Sequence, residues 1–410
     1  MTTTAILTER GRLTALRAAW LFDGTSSALI PDPLVMIDGG TITAVDSGVE
    51  APEGADVVDL GGAALLPGLV DTHVHLAFDA STDVVGQLAG RDDDQAIQAM
   101  IRAGQAALRG GVTTVRDLGD RGYLSLGLRG RPGLPTIVTA GPPLTTPAGH
   151  CHYLGGCAEP TVAGVRSAVR EHAERGVDVI KIMASGGTLT PGTHQHLSQF
   201  PPGVLRAAVD EAHRHGLQVT AHAHGIDAIA AAVEAGADGL EHVSFWTQDS
   251  VDAPADLIKL IADRRVVVGS TVGLVPVEGM APPPEVRARL PLIKANTQRM
   301  YEAGAQIVAG TDAGIAPVKP HDVARYAPPM LRELGFSQAE ALRTLTSVAA
   351  GVTGLGHRKG RIAPGFDADI LAVDGDPIAD SDALHRIRAV YARGVPVPDA
   401  GGTRPAINER

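Results

Sequence analysis

Short apolar runs and amphipathic stretches alternate along most of the chain. The strand-like runs are LLPGLVDTHVHL (65–76), VTTVRDLG (112–119), LPTIVTAG (134–141) and VDVIKIMAS (177–185). LQVTAHAH (217–224), DGLEHVSF (238–245), RVVVGSTVG (265–273) and AQIVAGTDAG (305–314) follow, making eight. Between them lie segments with apolar residues at helical spacing and glycine at the end, such as 94–111 and 201–216. Gly111, Gly176, Gly216 and Gly236 each precede an apolar run, where a residue without Cβ closes a helix and feeds the next strand. Eight strands alternating with helices predict an α/β fold, a (β/α)8 TIM barrel over 65–355, with a doubly wound open sheet as the alternative.

The flanks read differently. Residues 12–62 and 360–396 alternate in the strand manner with Gly-rich turns, and neither half makes a domain alone. They are expected to pair into one small β-sandwich, its N-terminal part in 1–64 and its C-terminal part in 356–410. The first ten residues and the last dozen are expected to fray.

Composition narrows the function. Of 410 residues 44% are apolar but only 3% aromatic, so the core is built from Ala, Val, Leu and Ile. A formal charge of −11 argues against a nucleic-acid or anionic-membrane surface, which needs clustered Lys and Arg. No run approaches the ~20 apolar residues of a membrane helix. Glu9 and Arg10 interrupt the N-terminus before a signal peptide could form, and Cys151 and Cys157 are too few for a disulfide framework. A cytoplasmic protein acting on a small molecule is expected.

Polar residues at the C-terminal ends of the strands carry the chemistry, because that rim holds the active site of such a barrel. The first strand ends in His73 and His75, two apart and therefore on one side. The fourth carries Lys181, the fifth ends in His222 and His224, the sixth in His242 and the eighth in Asp312. An H-x-H pair alone is more often structural, and a lysine in an apolar strand more often snorkels to water. All these residues nevertheless fall on strand ends. A lysine between Ile180 and Ile182 is costly to keep charged. As a neutral amine it can add CO2, giving a carbamate whose two oxygens bridge two cations. Four histidines and an aspartate complete two divalent sites of a type that suits zinc.

These motifs resemble the amidohydrolase superfamily over nearly the whole chain. LLPGLVDTHVHL is similar to its first-strand motif, GTDAG to its eighth, and RIAPGFDADILAVDGDP to its return segment. GGVTTVRDLG, VDVIKIMASGG, TAHAHG and LEHVSF resemble a narrower group, the imidazolonepropionase-like enzymes that include metal-dependent prolidases and Xaa-Arg dipeptidases. The resemblance implies that His73, His75 and Asp312 hold one metal ion and His222 and His242 the other. Carboxylated Lys181 would bridge them, as N6-carboxylysine. It further implies substrate contacts at His224 and at His150 in PPLTTPAGHCHYLGG, although Ala148 and the Cys151–His152 pair depart from the familiar loop. Dipeptide-cleaving members hold the free carboxylate with a cation or tyrosine, for which Arg116, Tyr123 and Tyr153 are candidates. Assembly into a homo-oligomer is implied as well.

The expected reaction is hydrolysis of an amide-type C–N bond in a dipeptide, N-acyl amino acid, carbamate or aryl amide. A metal-bridged hydroxide attacks, Asp312 shuttles the proton and His242 assists. A mononuclear deaminase or cyclic-amide hydrolase is the alternative, and a non-catalytic scaffold a more distant one. Cys151 and Cys157 lack zinc-knuckle spacing, and His194, His196, His213 and His215 read as surface residues.

Overall fold

A computed structural model describes residues 13–400, so most of the ends expected to fray lie outside it. Eight parallel strands follow one another in chain order: β1 (Leu69–Val74), β2 (Val112–Asp117), β3 (Thr136–Thr139), β4 (Val179–Met183), β5 (Gln218–Gly225), β6 (Gly239–Trp246), β7 (Val267–Thr271) and β8 (Ile307–Gly310). β1–β3 form one parallel sheet and β4–β8 another. Parallel bridges Leu144–Ile182 and Val74–Ala313 join the two sheets at both seams. The result is a TIM-barrel-like α/β architecture. Every residue of β1, β2, β4 and β8 is buried, as required when helices cover one face and packed side chains fill the other.

Local sequence starts and stops the intervening helices. Asp92 opens helix Asp93–Arg109 with a capping box: its side chain accepts from the Gln95 N–H at 2.8 Å, and Gln95 Oε1 accepts from the Asp92 N–H at 3.1 Å. Gly176 and Gly236 close helices Val162–Arg175 and Ile226–Ala235 in the left-handed conformation. Gly111 and Gly216 are left-handed too, one residue beyond the helix cap.

One predicted strand is two. Ala63–Pro67 pairs with Ile370–Asp374 and Trp20–Leu21 in a flanking sheet, and the chain then crosses at Gly68 into β1. A Cβ on Gly68 would lie 2.2 Å from Thr113 Oγ1, so only glycine passes there. Hydrophobicity runs through the junction, which is why the sequence pattern reads it as continuous. The expected barrel start at residue 65 therefore falls within a strand of the flanking sheet.

The flanks form two sheets. One takes Thr41–Ser47, Pro33–Asp38, Thr14–Arg17 and Asp56–Asp59 in that order. The other has six strands and draws on both ends of the chain: Val395–Pro396, Ile387–Ala392, Ile370–Asp374, Ala63–Pro67, Trp20–Leu21 and Ile30–Pro31. Leu16, Val35, Ile42, Leu65 and Ile370 from both sheets share one buried cluster. No helix among the described residues is long and apolar enough to cross a membrane.

Candidate metal centre

His73 lies on β1 and His75 just beyond it, Lys181 on β4, His222 and His224 on β5, and His242 on β6. Asp312 follows β8 by two residues. Parallel strands end on the same side, so these side chains meet at one rim, where they line a single cavity of about 300 Å³. His242 and Asp312 have left-handed backbones, φ +74° and +62°, a region that residues with a Cβ seldom occupy.

Proton placement decides what the cluster can hold. His73 Nδ1 lies 3.0 Å from Glu241 Oε2. Burial, reinforced by the charge of Lys181, pulls His73 down to about 4, so the ring is neutral at neutral pH. Its one proton then belongs on Nδ1, where it is donated to Glu241, and Nε2 is left with a lone pair. Burial works to raise the Glu241 carboxyl, but His73 and the Arg116 guanidinium hold it below the usual carboxylate range. Arg116 Nη2 donates to Glu241 Oε1 at 2.9 Å and Thr220 Oγ1 donates to the same atom at 2.8 Å. His75 Nδ1 faces the Gly119 carbonyl at 3.4 Å, and its Nε2 points inward.

Three ligand-type atoms therefore converge. His73 Nε2 and His75 Nε2 are 3.3 Å apart, and Asp312 Oδ1 lies 3.5 Å from the first and 3.2 Å from the second. Burial opposes charge on Asp312, yet His73, His75 and Lys319 keep its carboxyl far below the usual range. Facing lone pairs repel unless a cation sits between them. A tetrahedral ion with bonds of about 2.0–2.1 Å sets donor spacings of roughly 3.4 Å, close to those observed.

A second group adjoins the first. Ligating atoms of His222, His224 and His242 lie within 4.8 Å of one another, and His242 also groups with His73 and Asp312. His222 Nε2 donates to the Gly186 carbonyl at 3.1 Å, which leaves Nδ1 as its free donor atom. Burial first, then the neighbouring rings, holds His222 and His242 well below the ordinary histidine value. His224 Nδ1 contacts Ser244 Oγ at 2.6 Å, and its ring stacks on His242 at 4.5 Å. Expected from sequence as a substrate contact, His224 is thus also placed among the metal-capable atoms. Lys181 Nζ, on a side chain only 1% exposed, has no hydrogen-bond partner, and burial lowers its pKa to about 8. A buried ammonium without a partner is costly, and the lowered pKa makes the neutral amine that CO2 adds to easier to reach.

His150 lines the same cavity, its ring 4.8 Å from that of His222 and its Nδ1 unpartnered. The other expected substrate contacts lie elsewhere. Tyr123 Oη meets His172 Nδ1 at 3.1 Å and its ring lies under Arg175, while Tyr153 Oη donates to Cys151 Sγ at 3.6 Å; neither lines the cavity. Arg116 is committed to Glu241 and to the Thr72 carbonyl at 2.7 Å, so it does not await a substrate carboxylate. His321 Nε2 donates to the Phe78 carbonyl at 2.9 Å and holds the loop after β1. Sequence reasoning missed Glu241. The available signal was two opposite charges, Arg116 and Glu241, each within a strand of the barrel and each needing a partner.

Comparison with known proteins agrees with this geometry. The model of the Amidohydrolase family matches residues 64–397. Ochratoxinase of Aspergillus niger is 28% identical over 366 residues, covering 80% of this chain and 73% of that protein. Imidazolonepropionase of Deinococcus deserti is 26% identical over 412 residues, covering 90% and 92%. The crystal structure of a Xaa-Pro dipeptidase with bound methionine superposes with a TM-score of 0.80 at 25% identity, covering 94% and 99%.

Proposed function

The chain belongs to the amidohydrolase family and is a hydrolase acting on carbon–nitrogen bonds, and on that premise we propose a binuclear metal-dependent enzyme that cleaves an amide-type bond in a small molecule. The observation that carries the reading is the convergence of three ligand-type side chains, His73, His75 and Asp312, within 3.5 Å of one another beside the unpartnered amine of Lys181. We read the eight parallel strands as a closed (β/α)8 barrel and the flanking sheets as a β-sandwich formed by both chain ends.

His73, His75 and Asp312 would hold one ion, His222 and His242 the other, with Lys181 bridging as its carbamate; the nitrogen and oxygen donors suit zinc. When bound, the ions supply Lewis acidity, polarising the carbonyl and acidifying the attacking water. The chain's own residues do the rest. Asp312, held anionic, takes the water proton and returns it to the leaving nitrogen as the C–N bond breaks. His150 offers its unpartnered Nδ1 to a substrate oxygen, and His224 and His242 border the reacting centre.

Stripping with a chelator should abolish amide hydrolysis, and divalent metal with bicarbonate should restore it. Carbon-13 bicarbonate should then give a carbamate signal that Lys181→Ala lacks. Two ions per chain are expected. One ion, with no carbamate, would favour the mononuclear deaminase or cyclic-amide reading.

A further inference from the structure

The cavity has two unlike halves. Its floor is the histidine cluster with Lys181 and Asp312. Its wall over β6–β8 is apolar: Trp246, Val272, Met330, and Val286, Leu290 and Ile293 on helix Pro284–Glu302. The last three, at i, i+4 and i+7, form one stripe of that helix turned to the cavity. Arg289 fixes the helix there. Its guanidinium lies 4.5 Å from the Trp246 ring centroid and donates to the carbonyls of Glu285 (3.1 Å), Gln248 (3.3 Å) and Ser250 (3.5 Å).

Apart from Lys181, whose amine is assigned above to the bridge between the ions, the lysines and arginines around this cavity are paired among the described residues. Lys294, the one cation on the wall, is ion-paired with Glu333, and Arg289 is used by the carbonyls just named. Arg116 is paired with Glu241, and Lys319 Nζ donates to the Thr271 and Thr311 carbonyls at 2.9 and 2.7 Å. A substrate carboxylate beside the scissile bond would lose its hydration against an apolar wall and the Asp312 carboxylate, with no cation besides Lys181 left unpaired around the cavity among the described residues. An apolar group gains from the same wall.

From this contrast, and resting on the hydrolase reading above, we infer that the substrate is a neutral amide or carbamate whose apolar group lies against helix Pro284–Glu302, and that Leu290 and its stripe set the preference. N-acyl amino acids and dipeptides with a free carboxylate are poor substrates.

The test uses the metal-loaded full chain and four anilides: hexanoyl or acetyl, each with a para carboxamide or a para carboxylate. Hydrolysis is followed by release of the aniline. Binding is followed by Trp246 fluorescence in a Trp20→Phe background, which leaves one tryptophan. The hexanoyl carboxamide should exceed its carboxylate counterpart by about tenfold or more in both kcat/KM and affinity (a lower Kd), and exceed the acetyl compound by about fourfold for each methylene buried. Leu290→Asp should remove the hexanoyl advantage over acetyl; Leu290 is partly exposed, so the fold tolerates it. Lys294→Met should not weaken the carboxylate compounds. Equal or better use of the carboxylates, lost in Lys294→Met, overturns the inference, as does binding of none of the four. Selective binding without cleavage overturns hydrolysis and leaves the ligand class standing. Cleavage without discrimination does the reverse.

Discussion

Glu241→Gln separates electrostatic positioning from simple packing. The substitution keeps the volume of a side chain that is 1% exposed, so no cavity opens. Three contacts are at stake: His73 at 3.0 Å, Arg116 at 2.9 Å and Thr220 at 2.8 Å. Arg116 and Thr220 both donate to Oε1, so the amide oxygen is required on that side and the NH2 must face His73. An NH2 donates, which drives the His73 proton from Nδ1 to Nε2. The nitrogen facing His75 and Asp312 then carries a proton where it carried a lone pair. Loss of an outer partner of a ligating histidine typically costs 10–100-fold in metal affinity, about 1.4–2.7 kcal/mol. Weakening the buried Arg116 partner also costs up to about 3–5 kcal/mol of stability, because the guanidinium loses its counter-charge. Two assays separate the terms: competition for zinc against a chelator of known affinity, and chemical denaturation of the metal-free protein. Unchanged zinc affinity in a folded Glu241→Gln protein would refute the tautomer argument, whatever its stability.

The other expectations are simpler. Asp312→Asn should lower kcat by about 100- to 10,000-fold while the protein remains folded, since proton transfer is lost; near-native turnover would remove Asp312 from that role. Lys181→Met should reduce bound metal from two ions toward one and raise the melting temperature of the metal-free protein, because an unpartnered buried amine becomes apolar. Metal analysis and calorimetry read the two effects separately. Gly68→Ala should destabilise by about 1–3 kcal/mol through overpacking on Thr113, and Thr113→Ala in the same chain should recover most of it.

Much of this architecture is legible in the sequence because strand ends and glycine caps are local signals. Gly176 and Gly236 sit where the pattern puts them, and the six expected ligands line one cavity. Two kinds of feature escape. The crossing at Gly68 is invisible because both flanking strands are fully buried and the residues on either side of the glycine are apolar. Long-range partners escape as well. Arg116 and Glu241 are 125 residues apart, and nothing local distinguishes a paired buried charge from one awaiting a ligand. The tyrosines fail for the same reason. Tyr123 lies near the barrel rim in sequence, yet it turns outward to His172.

The left-handed backbones of His242 and Asp312 have a consequence for how this protein would change under selection. Each such residue holds backbone strain, up to roughly 1–2 kcal/mol, that glycine would release. Replacements that relax the backbone at 242 and 312 are thus replacements that would extinguish turnover. A population screened for heat resistance alone should accumulate glycine at 242 and 312 early, and lose activity while gaining robustness. Only simultaneous selection for catalysis would keep histidine and aspartate in place.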